Sequence, residues 1–147
     1  MRIGRRGRSM ILAGALVGLA GAGTALAGGG YTATLSPDEE VPEPGQAGSS
    51  GTAVLKVDQA AGKACSTITL KGLDNPNAAH VHQGAKGVAG PVVINLGVPV
   101  SGQESCVDVT SEVAAAVAAD PAGHYVNVHT AERPKGALRG QLSPKQY

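Results

Sequence analysis

The sequence predicts an all-β fold, an antiparallel β-sandwich or barrel of about seven or eight short strands with one short helix. Three observations carry this expectation. The chain has no Phe and no Trp, so its core must be built from Val, Leu, Ile and Ala. Its 22 glycines punctuate short segments rich in Val and Thr, the pattern of strands joined by tight turns. A single stretch, Ser111–Ala119, has the composition of a helix.

The elements follow in order along the chain. Tyr31–Leu35 alternates as a first strand. Ser36–Ser50 holds Pro37, Pro42, Pro44 and the acids Asp38, Glu39, Glu40 and Glu43, and reads as a loop. Gly51–Asp58 is a strand with Ala53, Leu55 and Val57 on one face. Ala64–Leu73 is the next, after a turn through Gly62. Ala78–Gln83 follows the Pro76 turn, and Pro91–Leu96 follows a glycine-rich loop over Gly84–Gly90. Cys106–Val109 is short and extended. The helix has Thr110 as its cap and Glu112 in its first turn, and Asp120-Pro121 ends it. Gly123–Thr130 is a strand. Arg133–Gly136 turns into a last strand over Ala137–Ser143.

The first 27 residues read as a leader rather than as part of the fold. Arg2, Arg5, Arg6 and Arg8 precede an apolar stretch that ends Thr-Ala-Leu-Ala before Gly28. This is the basic, apolar and small-residue pattern of a secretory signal peptide. The expectation is export, with residues 28–147 as one domain outside the cytoplasm, by either the general or the twin-arginine route. Four of the 12 basic residues lie in the leader, and all 11 acids lie after it, so the remaining chain is net acidic. Nothing basic is left to bind nucleic acid, and no basic amphipathic helix points to a membrane once the leader is gone.

Both cysteines, Cys65 and Cys106, fall in the exported part. An even count in such a protein argues for one disulfide. Cross-linking over that span stabilises by ~4 kcal/mol on the chain-entropy view.

All four histidines lie in two strands, as Ala79-His80-Val81-His82 and His124-Tyr125-Val126-Asn127-Val128-His129. Residues two apart on a strand share a face, so His80 and His82 point the same way. His129 shares a face with Asn127 and Tyr125, and Val126 and Val128 face the core with His124. The candidate metal site is therefore His80, His82 and His129, supported by Asn127, Arg139 and Gln141. Three imidazoles suit zinc or copper, with a fourth position left for water. His124, beside the turn that ends the helix, reads as a rim residue.

Other groups carry less chemistry. Glu39 and Glu40 in the Pro-rich loop read as a solvated face. Arg139 reads as the partner of an acid inside the barrel, with anion binding as the alternative. No nucleophile elbow is present, and Gly84–Gly90 lacks the helix that a phosphate-cradling loop would need.

The segments Ala79-His80-Val81-His82, Gly90-Pro91-Val92-Val93, Tyr125-Val126-Asn127-Val128-His129-Thr130-Ala131 and Gly136 to Leu142 with Arg139-Gly140-Gln141 occur in this order over about Tyr31–Leu142. Together they resemble the CHRD domain family, named for repeats in chordin and common as single-domain exported bacterial proteins. The resemblance implies an immunoglobulin-like or barrel-like β domain in which His80, His82 and His129 are the characteristic histidines. The chain departs from the family pattern at Ala137, where a glutamate commonly precedes the Arg-Gly-Gln run, and at His124, a position often aromatic. There is a looser likeness to copper/zinc superoxide dismutase, another exported β-barrel with a His-Val-His ligand pair and a disulfide. The later ligands of that enzyme have no clear counterparts here.

The leading expectation is an exported domain that binds copper or zinc through the three histidines. One alternative is a non-catalytic extracellular module that binds another protein and uses its histidines structurally. The other is a redox enzyme of the superoxide dismutase kind.

Overall fold

Alternating apolar and polar residues sort nine strands into two antiparallel sheets in the computed structural model, which describes residues 29–146. The leader expected over residues 1–27 lies outside the described residues. The strands are β1 (Gly29–Leu35), β2 (Ser50–Asp58), β3 (Lys63–Lys71), β4 (Pro76–Gln83), β5 (Val92–Gly97), β6 (Glu104–Asp108), β7 (His124–Thr130), β8 (Leu138–Gln141) and β9 (Ser143–Pro144). The first sheet has the order β6-β3-β2-β1-β9 and the second β5-β4-β7-β8.

The core lies between the sheets. Tyr31, Ala33 and Leu35 of β1 and Ala53, Leu55 and Val57 of β2 face Ala79 and Val81 of β4, Val126 and Val128 of β7, and Leu138 of β8. Each fully buried Leu or Val contributes about 1.5–3 kcal/mol, which suits a core without Phe or Trp. The helix α1 (Ser111–Ala119) follows β6 and lays Ala114 and Val117 on this core. Its start is the expected one: the Thr110 hydroxyl accepts the Val113 N–H at 3.3 Å.

The strand count differs from the expected seven or eight because the last expected strand is two. Leu142, 1 % exposed, turns into the core, and its N–H goes to the His124 carbonyl at 2.9 Å. The residues before it pair with β7, and those after it pair with β1 in the other sheet. Ser36 and Arg139 also exchange backbone hydrogen bonds of 2.9 and 3.1 Å, which draws the two sheets together along that edge. The short segment placed at Cys106–Val109 begins earlier, at Glu104, because it follows the register of β3.

Cys65 and Cys106 form a disulfide, directly opposite one another on β3 and the edge strand β6. No helix among the described residues is long and apolar enough to cross a membrane.

Candidate metal centre

The outward face of the second sheet is polar and yet partly buried: Tyr125, Asn127 and Arg139 are enclosed, and the histidines beside them are half-buried. Strand pairing sets the arrangement. His80 of β4 stands opposite Asn127 of β7, and Asn127 stands opposite Arg139 of β8. One step along, His82 stands opposite Tyr125, which stands opposite Gln141. Side chains directly opposed on antiparallel strands have Cβ atoms about 4.5–5.5 Å apart. The alternation that buries Val81, Val126 and Val128 thus gathers the histidines on the other side.

His80, His82 and His129 each offer a ring nitrogen within 4.8 Å of the others'. His80 Nδ1 lies 3.1 Å from His129 Nε2. For comparison, two nitrogens bound to one tetrahedral zinc at 2.0–2.1 Å would lie about 3.3–3.4 Å apart. The rings of His80 and His82 meet edge-on at 5.7 Å, and those of His80 and His129 at 5.0 Å.

Backbone carbonyls set the tautomers of two of the three rings. His82 Nδ1 is 2.8 Å from the Gly90 carbonyl, and His129 Nδ1 is 3.0 Å from the Pro134 carbonyl. A carbonyl only accepts, so both rings carry their proton on Nδ1 and leave a lone pair on Nε2. Metal-ligating histidines are held in the same way. His82 Nε2 is buried and has no hydrogen-bond partner.

Burial is the main reason all three histidines are held below their ordinary pKa. For His80, the neighbouring His129 and His82 lower it further. For His82, the Gly90 hydrogen bond opposes the shift while the Arg139 charge adds to it. For His129, the Pro134 hydrogen bond opposes burial, and His82 reinforces it. The neutral form, the one that binds metal, is favoured in each case.

The residues expected to support the site take distinct places. Arg139, 1 % exposed, lays its guanidinium 3.5 Å from the centre of the Tyr125 ring. Tyr125 in turn stacks on His82 with centroids 4.7 Å apart and planes 5° apart. Since β4 and β8 flank β7, the tyrosine is sandwiched between imidazole and guanidinium. Its hydroxyl accepts the Gly90 N–H at 3.1 Å, which ties the loop carrying the His82 acceptor to the stack. Gln141 touches no histidine ring: its amide N–H groups go to the carbonyls of Gly84, Ala122 and His124, so it clamps the loop ends. Arg139 also donates to Ala85 O at 2.9 Å and to Gln141 Oε1 at 3.1 Å.

Two expectations are corrected. His124 is not a rim residue: it is 3 % exposed, on the core side of β7, and its Nδ1 bonds the Asp120 carbonyl at 2.8 Å. The capped turn before β7 covers it, and it stands apart from the other three. Glu40 is not on a solvated face: it is 6 % exposed, and its Oε1 accepts the Asn127 amide at 2.7 Å. Burial pushes its pKa up to about 7, against the opposing pull of Asn127 and the Arg139 charge. Glu39 does lie at the surface, where it pairs with Lys86 at 2.8 Å and bridges two of the covering loops.

The CHRD domain family model matches residues 31–142, which takes in every strand from β1 to β8 and all three clustered histidines. The chain belongs to the CHRD domain family. No curated protein and no solved structure matches the chain. Within this CHRD domain, Ala137 is fully buried and carries no acid. The carboxylate near that point is Glu40, which lies against Gly136 and Asn127. Nothing local in the sequence marked Glu40, because its partner is 87 residues away.

Proposed function

We propose that this CHRD domain is an exported protein that binds one transition-metal ion, zinc or copper, through His80, His82 and His129. The observation that carries the reading is the pair of backbone-held rings. His82 and His129 each commit Nδ1–H to a carbonyl and keep a lone pair on Nε2; that of His129 meets His80 Nδ1 at 3.1 Å, and that of His82 has no partner. Buried polar atoms are nearly always partnered, whereas the buried Nε2 of His82 is not. Imidazole ligands suit zinc and copper. The Cys65–Cys106 disulfide supports an oxidising compartment as the place of work.

The test is calorimetric titration of the purified protein with Zn(II) and with Cu(II). One ion should bind per chain. His80→Ala/His82→Ala should lose at least about 100-fold in affinity, the upper end of what losing an orienting partner alone costs. Equal, weak binding by both proteins would sink the proposal.

A second reading draws on the His80–His129 hydrogen bond, which joins β4 to β7 without any ion. In that reading the domain binds an extracellular protein, and the histidines serve only the fold. The histidine variant would then melt at a lower temperature with no change in metal uptake, and partner binding would survive chelation.

A further inference from the structure

Asn127 is among the most deeply buried polar residues of the second sheet, at 2 % exposed. Its two amide atoms are treated very differently. Nδ2 donates to Glu40 at 2.7 Å, whereas Oδ1 is buried with no hydrogen-bond partner. This orientation, with the NH2 group on Glu40 and the oxygen facing away, is the one an ionised carboxylate selects, because it only accepts. A buried carbonyl oxygen left without a partner is costly and is rare in native folds.

The neighbours of that oxygen are the histidines. Asn127 stands directly opposite His80 in the sheet. Its side chain also lies within hydrogen-bonding reach of His82, where it favours the charged ring, against the larger opposing effect of burial. His82 Nε2 is itself buried and unpartnered. Two acceptor atoms, one nitrogen and one oxygen, are therefore left bare on adjacent strands of one face. Acceptors do not satisfy each other. A proton on His82 Nε2 would join them, but burial disfavours the charged ring, and a metal cation satisfies both.

We infer that Asn127 Oδ1 is a fourth, oxygen donor to the three-histidine site, and that Glu40 is the positioning residue that turns this oxygen inward by holding Nδ2. The inference rests on the three-histidine reading and completes its coordination as three nitrogens and one oxygen. Such a set remains compatible with zinc and with the divalent metals that accept mixed nitrogen and oxygen ligands. The contact with Glu40 is built in: at Gly136, φ is 143°, and a Cβ there would run into both the Glu40 carboxylate and the Asn127 amide.

Co(II), whose visible absorption reports its ligands, is the probe. Wild type, His82→Ala, Asn127→Leu and the swap Glu40→Gln/Asn127→Asp are titrated with Co(II) alone, and circular dichroism checks folding. The swap inverts the pair, so that Gln donates and Asp accepts, and it still presents an oxygen to the histidines. Asn127→Leu should weaken Co(II) about 10–100-fold and change its spectrum, while the swap retains binding. If Asn127→Leu keeps wild-type affinity and spectrum while His82→Ala loses binding, the oxygen donor is wrong and the three-histidine site stands. If wild type takes up no Co(II), the three-histidine reading has failed and this inference with it. Should Asn127→Leu not fold, a folded swap variant that loses Co(II) overturns the inference, and one that retains it supports it.

Discussion

Gly136 shows how closely single residues are matched around the histidines. It adopts a positive φ that disfavours other residues, and the space beside it is filled by the Glu40–Asn127 hydrogen bond. Replacing it by Ala adds a methyl group where that pair meets and strains the backbone. Gly136→Ala should therefore destabilise the fold by about 2–4 kcal/mol, as read from urea unfolding midpoints. Gly62→Ala serves as the comparison: it shares the positive φ but has only the Val109 carbonyl near its Cβ position, so its cost should be smaller. At this scale the sequence was legible wherever periodicity spoke. A spacing of two placed His80 with His82 and separated His124 from His129. It said nothing of Glu40, whose burial depends on a loop folding back over a strand far along the chain. It also misplaced His124, whose ring turns back on the carbonyl of Asp120 and is buried on the core side of β7.

Among the elements, the edge strand β6 is the one most dependent on a covalent link. It has five residues, mostly exposed, pairs only with β3 in its sheet, and is joined to it by Cys65–Cys106. Cys65→Ala/Cys106→Ala should lower the unfolding free energy by up to ~4 kcal/mol on the chain-entropy view. Amide exchange should rise first in Glu104–Asp108, as expected for an edge that opens locally. Metal uptake should be unaffected, because β6 lies in the sheet opposite the histidines. The helix was the most legible element, since its cap, its apolar run and its Asp-Pro end are all local signals. The final strand was misread as one because nothing local shows that Leu142 turns inward and hands the chain to the other sheet.

Over the whole molecule, the titrating groups set two opposing pH dependences. The clustered histidines have pKa values below their ordinary value of 6.5, so the folded chain binds fewer protons than the unfolded one in acid. Their contribution is present above about pH 6.5 and lost as the pH falls. Glu40 works the other way. Its pKa rises from 4.5 to about 7, so its contribution is full below 4.5 and lost as the pH rises through 7. Glu40→Gln removes that loss. The stability of the metal-free variant relative to wild type should grow between pH 4.5 and about pH 8, by at most roughly 3 kcal/mol. Urea titrations across that range check it, and a constant difference would show that Glu40 does not titrate in this window. Acid should also release bound metal, since protons compete for the same imidazole lone pairs.

Read alone, the chain yields its class, most of its strands, the helix over Ser111–Ala119, its disulfide and the shared face of His80 and His82. All of these follow from local rules, namely the two-residue period of a strand, the cap of a helix and the parity of cysteines. The enclosure of that face arises only when the chain folds. Loops around Glu40, Gly90 and Pro134 close over it and supply the carbonyls and the carboxylate that orient each ring and amide. These contacts join residues as far as 87 positions apart, and no periodicity reaches that distance.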